Sequence, residues 1–443
     1  MRKVLSQILY VMFFGFTLTI FICCILLVIN SLSGSSRTGF SAVELNENEV
    51  SSVYQTVKET SVPVEELPET ATVDIGYSCL KLEEEQELYR RIGESITHIA
   101  DEPDENGNYS TERIRLTGMT MTQESIRHAL NAYTFDHPQV FWLRNLFGYA
   151  CSDEETIVEC YSVMSAEDCN EKSELLAVSV GDILKGITPE MSPYDKEKYI
   201  HDRVLAGCTY KHNVASMSDG WEYFSVFGAL VKGEAVCEGY AKSIQLLLNL
   251  SGMECCTIRG TADSVEHMWN VVKIDDSWYH MDPTWDDKED LIGYEYFNIT
   301  TDDIEINHII APRMEENGEG NAAETESRNF FVPDCSSRFM NYYNVEALRL
   351  TGLEGKNIDR MIEFMYGRAM AKEVYLPLFI LPSMDYNECI EQMFYARPFK
   401  FYYFIDEVNK RLNNGFKIDR ESIRILKNEK NNTLRIRVNY IPA

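Results

Sequence analysis

A chain of 443 residues is longer than one compact domain requires, and its 45% hydrophobic content is that of a globular protein, not a disordered or fibrous one. The net charge of −29, spread along the sequence without an acidic tail, argues against nucleic acid or an anionic membrane surface as the main partner. No glycine-rich phosphate loop and no HExxH occur, so neither a nucleotide nor a catalytic metal is implied, and no cofactor is expected.

The N-terminus reads Met-Arg-Lys and then runs without a charge from Ile8 to Ile29. About twenty apolar residues span a bilayer as a helix, and Arg2 and Lys3 before them keep the N-terminus in the cytoplasm. The alternative is a cleaved signal peptide, whose apolar core is usually shorter, at about 7–15 residues. Residues 1–30 are therefore expected to be a transmembrane signal anchor with the rest of the chain outside the cytoplasm. Residues 31–73 are rich in Ser, Thr, Glu and Val, with Pro63 and Pro68, and read as a disordered tether.

Residues 74–190 form a mixed accessory region. Leu88, Ile92, Ile96 and Ile99 give Glu83–Ile99 the stripe of an amphipathic helix. A second helix is predicted over Thr122–Tyr133, capped by Thr122 and stopped at Asp136-His137-Pro138, with His137 structural. Phe141–Tyr149 and Thr156–Val163 suggest paired strands, and Glu171–Gly186 a further helix.

Residues 191–310 carry the chemistry. Ser192-Pro193 opens a helix as cap and first residue. The loop from Tyr210 to Gly228 is placed beside a cleft, where Trp221 and Tyr223 are candidate contacts for an acyl donor. Lys232-Gly233-Glu234 is a turn, and Ala241, Ile244, Leu247 and Leu248 mark a helix with one buried face. Cys237 thus lies at a helix start, where unpaired N–H groups and the helix dipole favour a thiolate. His267–Lys273 and Trp278–Asp282 flank Ile274-Asp-Asp-Ser277 as a hairpin. With Asp275 and Asp276 as its central turn residues, Asp282 lies opposite Trp269, and His267 is its diagonal neighbour on the same face, within reach of a carboxylate. Trp278, Trp285 and His280 are expected to pack, and Trp269 stands with Trp221 and Tyr223 as a candidate substrate contact.

The segments GEAVCEGYA, EHMWNVV and WYHMDPTWDD resemble the three motif blocks of the transglutaminase-like superfamily, whose fold is similar to that of papain-type cysteine proteases. The resemblance covers roughly Tyr194 to His308 and suggests a bacterial, membrane-anchored member with an α+β fold. It implies Cys237 as nucleophile, His267 as general base and acid, and Asp282 as the group orienting the imidazole. Acyl transfer on peptide or glutamine amides follows. Water as acceptor gives a protease or amidase, the expected outcome, and a lysine amine gives protein cross-linking. A non-catalytic module binding peptide or cell-wall material at the cell surface is the remaining reading.

Residues 311–329 read as a linker and 330–443 as a small α/β accessory module. Its predicted elements are a helix over Ile358–Ala371, a strand Glu373–Ile380, a helix from Asp385 broken at Pro398, and a hairpin pairing Ser422–Lys427 with Thr433–Tyr440. Twelve cysteines without a CxxC give no zinc set. Cys151, Cys160 and Cys169 leave room for one bridge, with free thiols as the alternative.

Overall fold

A computed structural model of the chain describes residues 40–45, 54–57, 74–214, 216–217, 220–288, 291–314 and 328–443. The apolar run from Ile8 to Ile29 lies outside the described residues, and among those described no helix is long and apolar enough to cross a membrane. The chain divides into two compact units, one ending at Ser337 and one running from Arg338 to Ala443.

In the first unit, the region before the motif segment packs two helices on an antiparallel sheet. The helices are Glu83–Ser95, with three glutamates in its first turn as the helix dipole favours, and Gln123–Asp136, where the Thr122 side chain accepts from the Ser125 N–H at 3.1 Å. The first helix is shorter than its apolar stripe suggests, because the chain turns at Ile96 and enters a short strand, His98–Ala100. Strands Leu143–Cys151 and Glu155–Ser162 pair as a hairpin, and Tyr109–Ser110 and Ile114–Thr117 add to the second of them. Leu88, Ile92, Ile126, Leu130, Phe147 and Val158 fill the space between the layers.

Part of the expected tether belongs to this fold. Ser41–Glu44 pairs in parallel with Leu146–Tyr149, and Tyr54–Thr56 pairs with His98–Ala100. Phe40 and Val57 are buried beside these strands. Phe-Ser-Ala-Val-Glu-Leu carries enough apolar surface to add an edge strand, a signal diluted by the Ser- and Glu-rich composition around it.

The motif segment follows directly. Helix Ala166–Leu184 begins before its apolar stripe does, because Ser165 caps it by accepting from the Asp168 N–H. Helix Pro193–Gly207 opens on a full capping box between Ser192 and Asp195. The central helix Cys237–Leu250 lies against a four-stranded antiparallel sheet in the order Ser277–Met281, Val265–Ile274, Cys255–Ala262, His308–Ile310. Ile258, Trp269 and Val271 head its apolar core. Gln245 of this helix donates to the Phe135 carbonyl at 2.7 Å, tying the accessory region to the motif segment. The chain beyond 327 also returns here: Phe330 enters the core of the first region, Cys335 that of the sheet. The first unit thus ends later than the linker reading placed it.

The second unit has a four-stranded sheet in the order Leu348–Leu350, Tyr375–Ile380, Thr433–Arg437, Arg424–Asn428. Helices Lys356–Met370 and Lys400–Arg411 pack with it around Met365, Leu378, Phe401 and Leu434. The helical run from Asp385 breaks between Tyr395 and Lys400, around Pro398.

All ten described cysteines are free, so the bridge allowed among Cys151, Cys160 and Cys169 is not formed.

Candidate active site

Three local features place the thiol. Gly233 takes φ +74, a conformation that suits glycine, and turns the chain into Glu234–Ala235, which pairs in parallel with Thr209–Tyr210. The backbone then passes through extended Val236 straight into the helix, so Cys237 is its first residue and carries one of the unpaired N–H groups of the first turn. Gly239 completes the arrangement: a Cβ there would meet Ala235 Cβ at 2.7 Å and the Tyr223 carbonyl oxygen at 2.9 Å. Its absence lets the preceding loop close onto the helix.

The hairpin places the other two groups. Ile274 pairs with Ser277 around a two-residue turn in which Asp275 has φ +52, and Asn270 pairs with Met281. One further step along this register sets Asp282 opposite Trp269, with His267 two residues on. His267 Nε2 is 2.7 Å from Asp282 Oδ2. Nδ1 is then the ring nitrogen left for the Cys237 thiol, which is a hydrogen-bond partner of the imidazole.

Asp282 is completely buried and accepts four hydrogen bonds. Oδ1 takes the backbone N–H groups of Thr284 at 3.0 Å and Trp285 at 3.2 Å, while Oδ2 takes His267 and, at 2.9 Å, His308 Nε2. Burial works against its charge, but the neighbouring His267 and then His308 outweigh it and hold the carboxyl well below the usual range. Burial also disfavours the His267 imidazolium. The Asp282 charge and hydrogen bond, followed by Cys237, reverse this and raise the ring to about 10.

Trp269 corrects the expectation of a substrate contact: it is fully buried, lies near-parallel to the His267 ring at 6.0 Å, and donates to His280 Nδ1 at 3.1 Å. It supports the histidine from within the core. His280 is buried as well, and burial, followed by the charge of His308, pushes it down to about 4, which leaves it neutral. Trp221 and Tyr223 sit half-buried on the short helical turn Trp221–Phe224. Trp221 stacks on Phe141 and Phe227 and lines a cleft beside the helix. Glu238, Lys242 and Arg259 share that cleft, and His137 and Asn145 bring the accessory region to its wall. Tyr223 passes under the Lys211 ammonium, 5.1 Å from its ring centre, and does not line that cleft.

Two residues of the site escaped the sequence reading. His308 arrives from a strand that pairs with Cys255–Ala262, and no motif spacing announces it. Tyr210, on the strand before the thiol, is raised to about 12 by burial and then by the charges of Cys237 and Asp282.

His267, Asp282 and His308 offer ligand atoms within 4.8 Å of one another, the one such group of metal-ligating type among the described residues. These atoms are already spent on each other at 2.7 and 2.9 Å. Ligands around a tetrahedral zinc, with bonds of about 2.0–2.1 Å, stand roughly 3.4 Å apart. The trio fits a hydrogen-bonded network and not a metal cradle.

Residues 182–283 match the family profile of the transglutaminase-like superfamily. The likeness of this segment is to a transglutaminase-like core. The match holds Cys237, His267 and Asp282, amounts to less than a quarter of the chain, and stops before His308. Among solved structures, a crystal structure of a TGase shares 16% identity over 48% of this chain and 59% of that one, with a TM-score of 0.23. The chain thus spans about three fifths of that relative's length. No curated protein gives a significant sequence match. The mixed helix and sheet composition of the first unit agrees with the α+β fold of a transglutaminase-like core.

Proposed function

We propose that the transglutaminase-like core is a thiol-dependent acyl-transfer centre acting on peptide or glutamine amides, with water as the acceptor. The observation that carries this is the order Cys237, His267 Nδ1, His267 Nε2, Asp282: one imidazole joins a thiol at a helix start to a buried carboxylate. The Cys237 sulfur attacks the amide carbon, and the carbonyl electrons move to oxygen. The Cys237 N–H, free in the first helical turn, is a donor for that oxyanion. As the C–N bond breaks, His267 gives its proton to the departing amine and an acyl thioester remains. Water then attacks the thioester while His267 takes its proton. The C–S bond breaks, the acid leaves and the thiol is restored.

The apolar run at 8–29 supports a centre held at the membrane outside the cytoplasm and working on protein or peptide at the cell surface. The cleft walled by Trp221 and Phe141, which reaches the helix at Glu238, one residue past the thiol, is where an extended substrate would lie.

The test pairs a glutamine peptide with a labelled amine and separates the products by mass. The expected product is the hydrolysed peptide, lost entirely in Cys237→Ala. An amine adduct as the main product would replace water by an amine as acceptor, and wild-type turnover in Cys237→Ala would overturn the assignment.

A further inference from the structure

An orienting carboxylate in a thiol–imidazole site needs one imidazole partner, whereas Asp282 Oδ2 accepts two, from His267 at 2.7 Å and from His308 at 2.9 Å. The geometry points to His308 as a positioning residue: by donating to Asp282 it draws carboxylate charge away from His267 and keeps that ring less basic than an unshared carboxylate would. The purpose of this device rests on the acyl-transfer reading above, but its measurement does not.

His308 is almost fully buried and has no route to a substrate. Trp285 at 4.8 Å, Trp269 at 5.1 Å and Tyr296 at 5.6 Å surround its ring. Nδ1 donates to Asn307 Oδ1 at 2.7 Å, so that both ring nitrogens face acceptors, and the Asn307 amide donates to the Tyr296 hydroxyl at 2.6 Å. That contact fixes the ring plane and turns Nε2 toward the carboxylate. The titratable groups around it are Asp282 and His267 in contact, Tyr296 beside the ring, His280, which feels its charge, and Asp263, whose N–H donates to the Asn307 carbonyl.

The effect has one sign. A carboxylate that gives part of its acceptor strength to a second donor stabilises the first cation less. Any positive charge on His308, 5.5 Å from His267 between ring centres, also disfavours a proton there. General acid–base transfer is most efficient when the group titrates near the working pH, and His267, raised to about 10, already lies well above neutrality. Sharing Asp282 restrains the rise.

The experiment follows the ring nitrogens of ¹⁵N-histidine-labelled protein by NMR in wild type, His308→Leu and His308→Gln. At the midpoint of the wild-type His267 titration, His308→Leu is expected to hold the ring about nine-tenths protonated, a shift of roughly one pH unit. His308→Gln, which keeps an N–H donor but no charge, returns it part of the way toward the wild-type fraction. A folded His308→Leu protein with the wild-type His267 titration overturns the proposal, because a merely structural histidine would change stability and leave that titration in place. If the leucine variant does not fold, the wild-type spectrum decides. The signal of His308 Nε2, assigned by its absence from His308→Gln, is expected to be that of a protonated nitrogen donating to Asp282, and an unprotonated Nε2 overturns the assignment. Failure of the acyl-transfer reading looks different: no turnover and no selective alkylation of Cys237 in wild type, with the His267 titration as described.

Discussion

The four hydrogen bonds on Asp282 make it the most constrained carboxylate of the site, and its charge is what keeps a proton on a buried His267. Asp282→Asn preserves the shape and removes that charge. The group raised to about 10 then loses its support, so the alkaline fall in activity moves down toward the ordinary histidine range near 6.5. Turnover is expected to drop by about 10⁴-fold, the scale seen when an orienting aspartate is neutralised in a comparable triad. A pH–rate profile of the variant measures both. An alkaline limb that stays near 10 would show that Asp282 does not hold the proton. His308→Leu moves the same limb the other way, so the two variants separate the roles of the two Asp282 partners.

Elements decide how much of this was legible. Cys237, His267 and Asp282 were readable together because local rules fix them: a glycine turn into a helix, and a two-residue turn whose register dictates which side chains share a face. His308 was not, because nothing near it in sequence says that its strand pairs with Cys255–Ala262. The clue lies in Gly260, which sits opposite both His267 and Ile310. A Cβ there would stand 2.0 Å from the Ile309 carbonyl oxygen and 2.9 Å from the Trp269 ring, so its absence lets the outer strand approach. Gly260→Ala is expected to push that strand away, destabilise the unit by about 1–3 kcal/mol as overpacking does, and raise the His267 titration in the direction of His308→Leu. Denaturant unfolding together with the histidine spectrum tests this. Lost stability with an unchanged His267 would mean that the strand relaxes without withdrawing His308. The strand Ser41–Glu44 was hidden for a different reason. Four residues of modest apolarity in a polar stretch gain stability only by adding to a sheet formed far along the chain.

At the scale of the whole molecule, the first unit extends beyond the motif region at both ends, with Phe40–Leu45 and Tyr54–Val57 before the body from Asp74 and Arg328 to Ser337 after it. Phe40, Val57, Phe330 and Cys335 are each nearly inaccessible within it. A fragment of residues 40–337 is therefore expected to unfold cooperatively and to keep the thiol chemistry of the full chain. One of residues 74–310, cut where composition alone draws the borders, loses these side chains from its cores and is expected to be less stable by several kcal/mol, since each large buried group contributes about 2–5 kcal/mol. Urea titration of the two fragments compares them, and equal midpoints would mean that the added stretches do not hold the fold. Asn329 shows how the return is fastened: its side chain accepts from the Arg259 N–H and donates to the Arg259 and Ala311 carbonyls, stitching the late stretch to the strand that faces His267. For a lineage that shuffles its tails, the exchangeable cassette begins at Arg338. A crossover any earlier would carry away part of the scaffold behind His267.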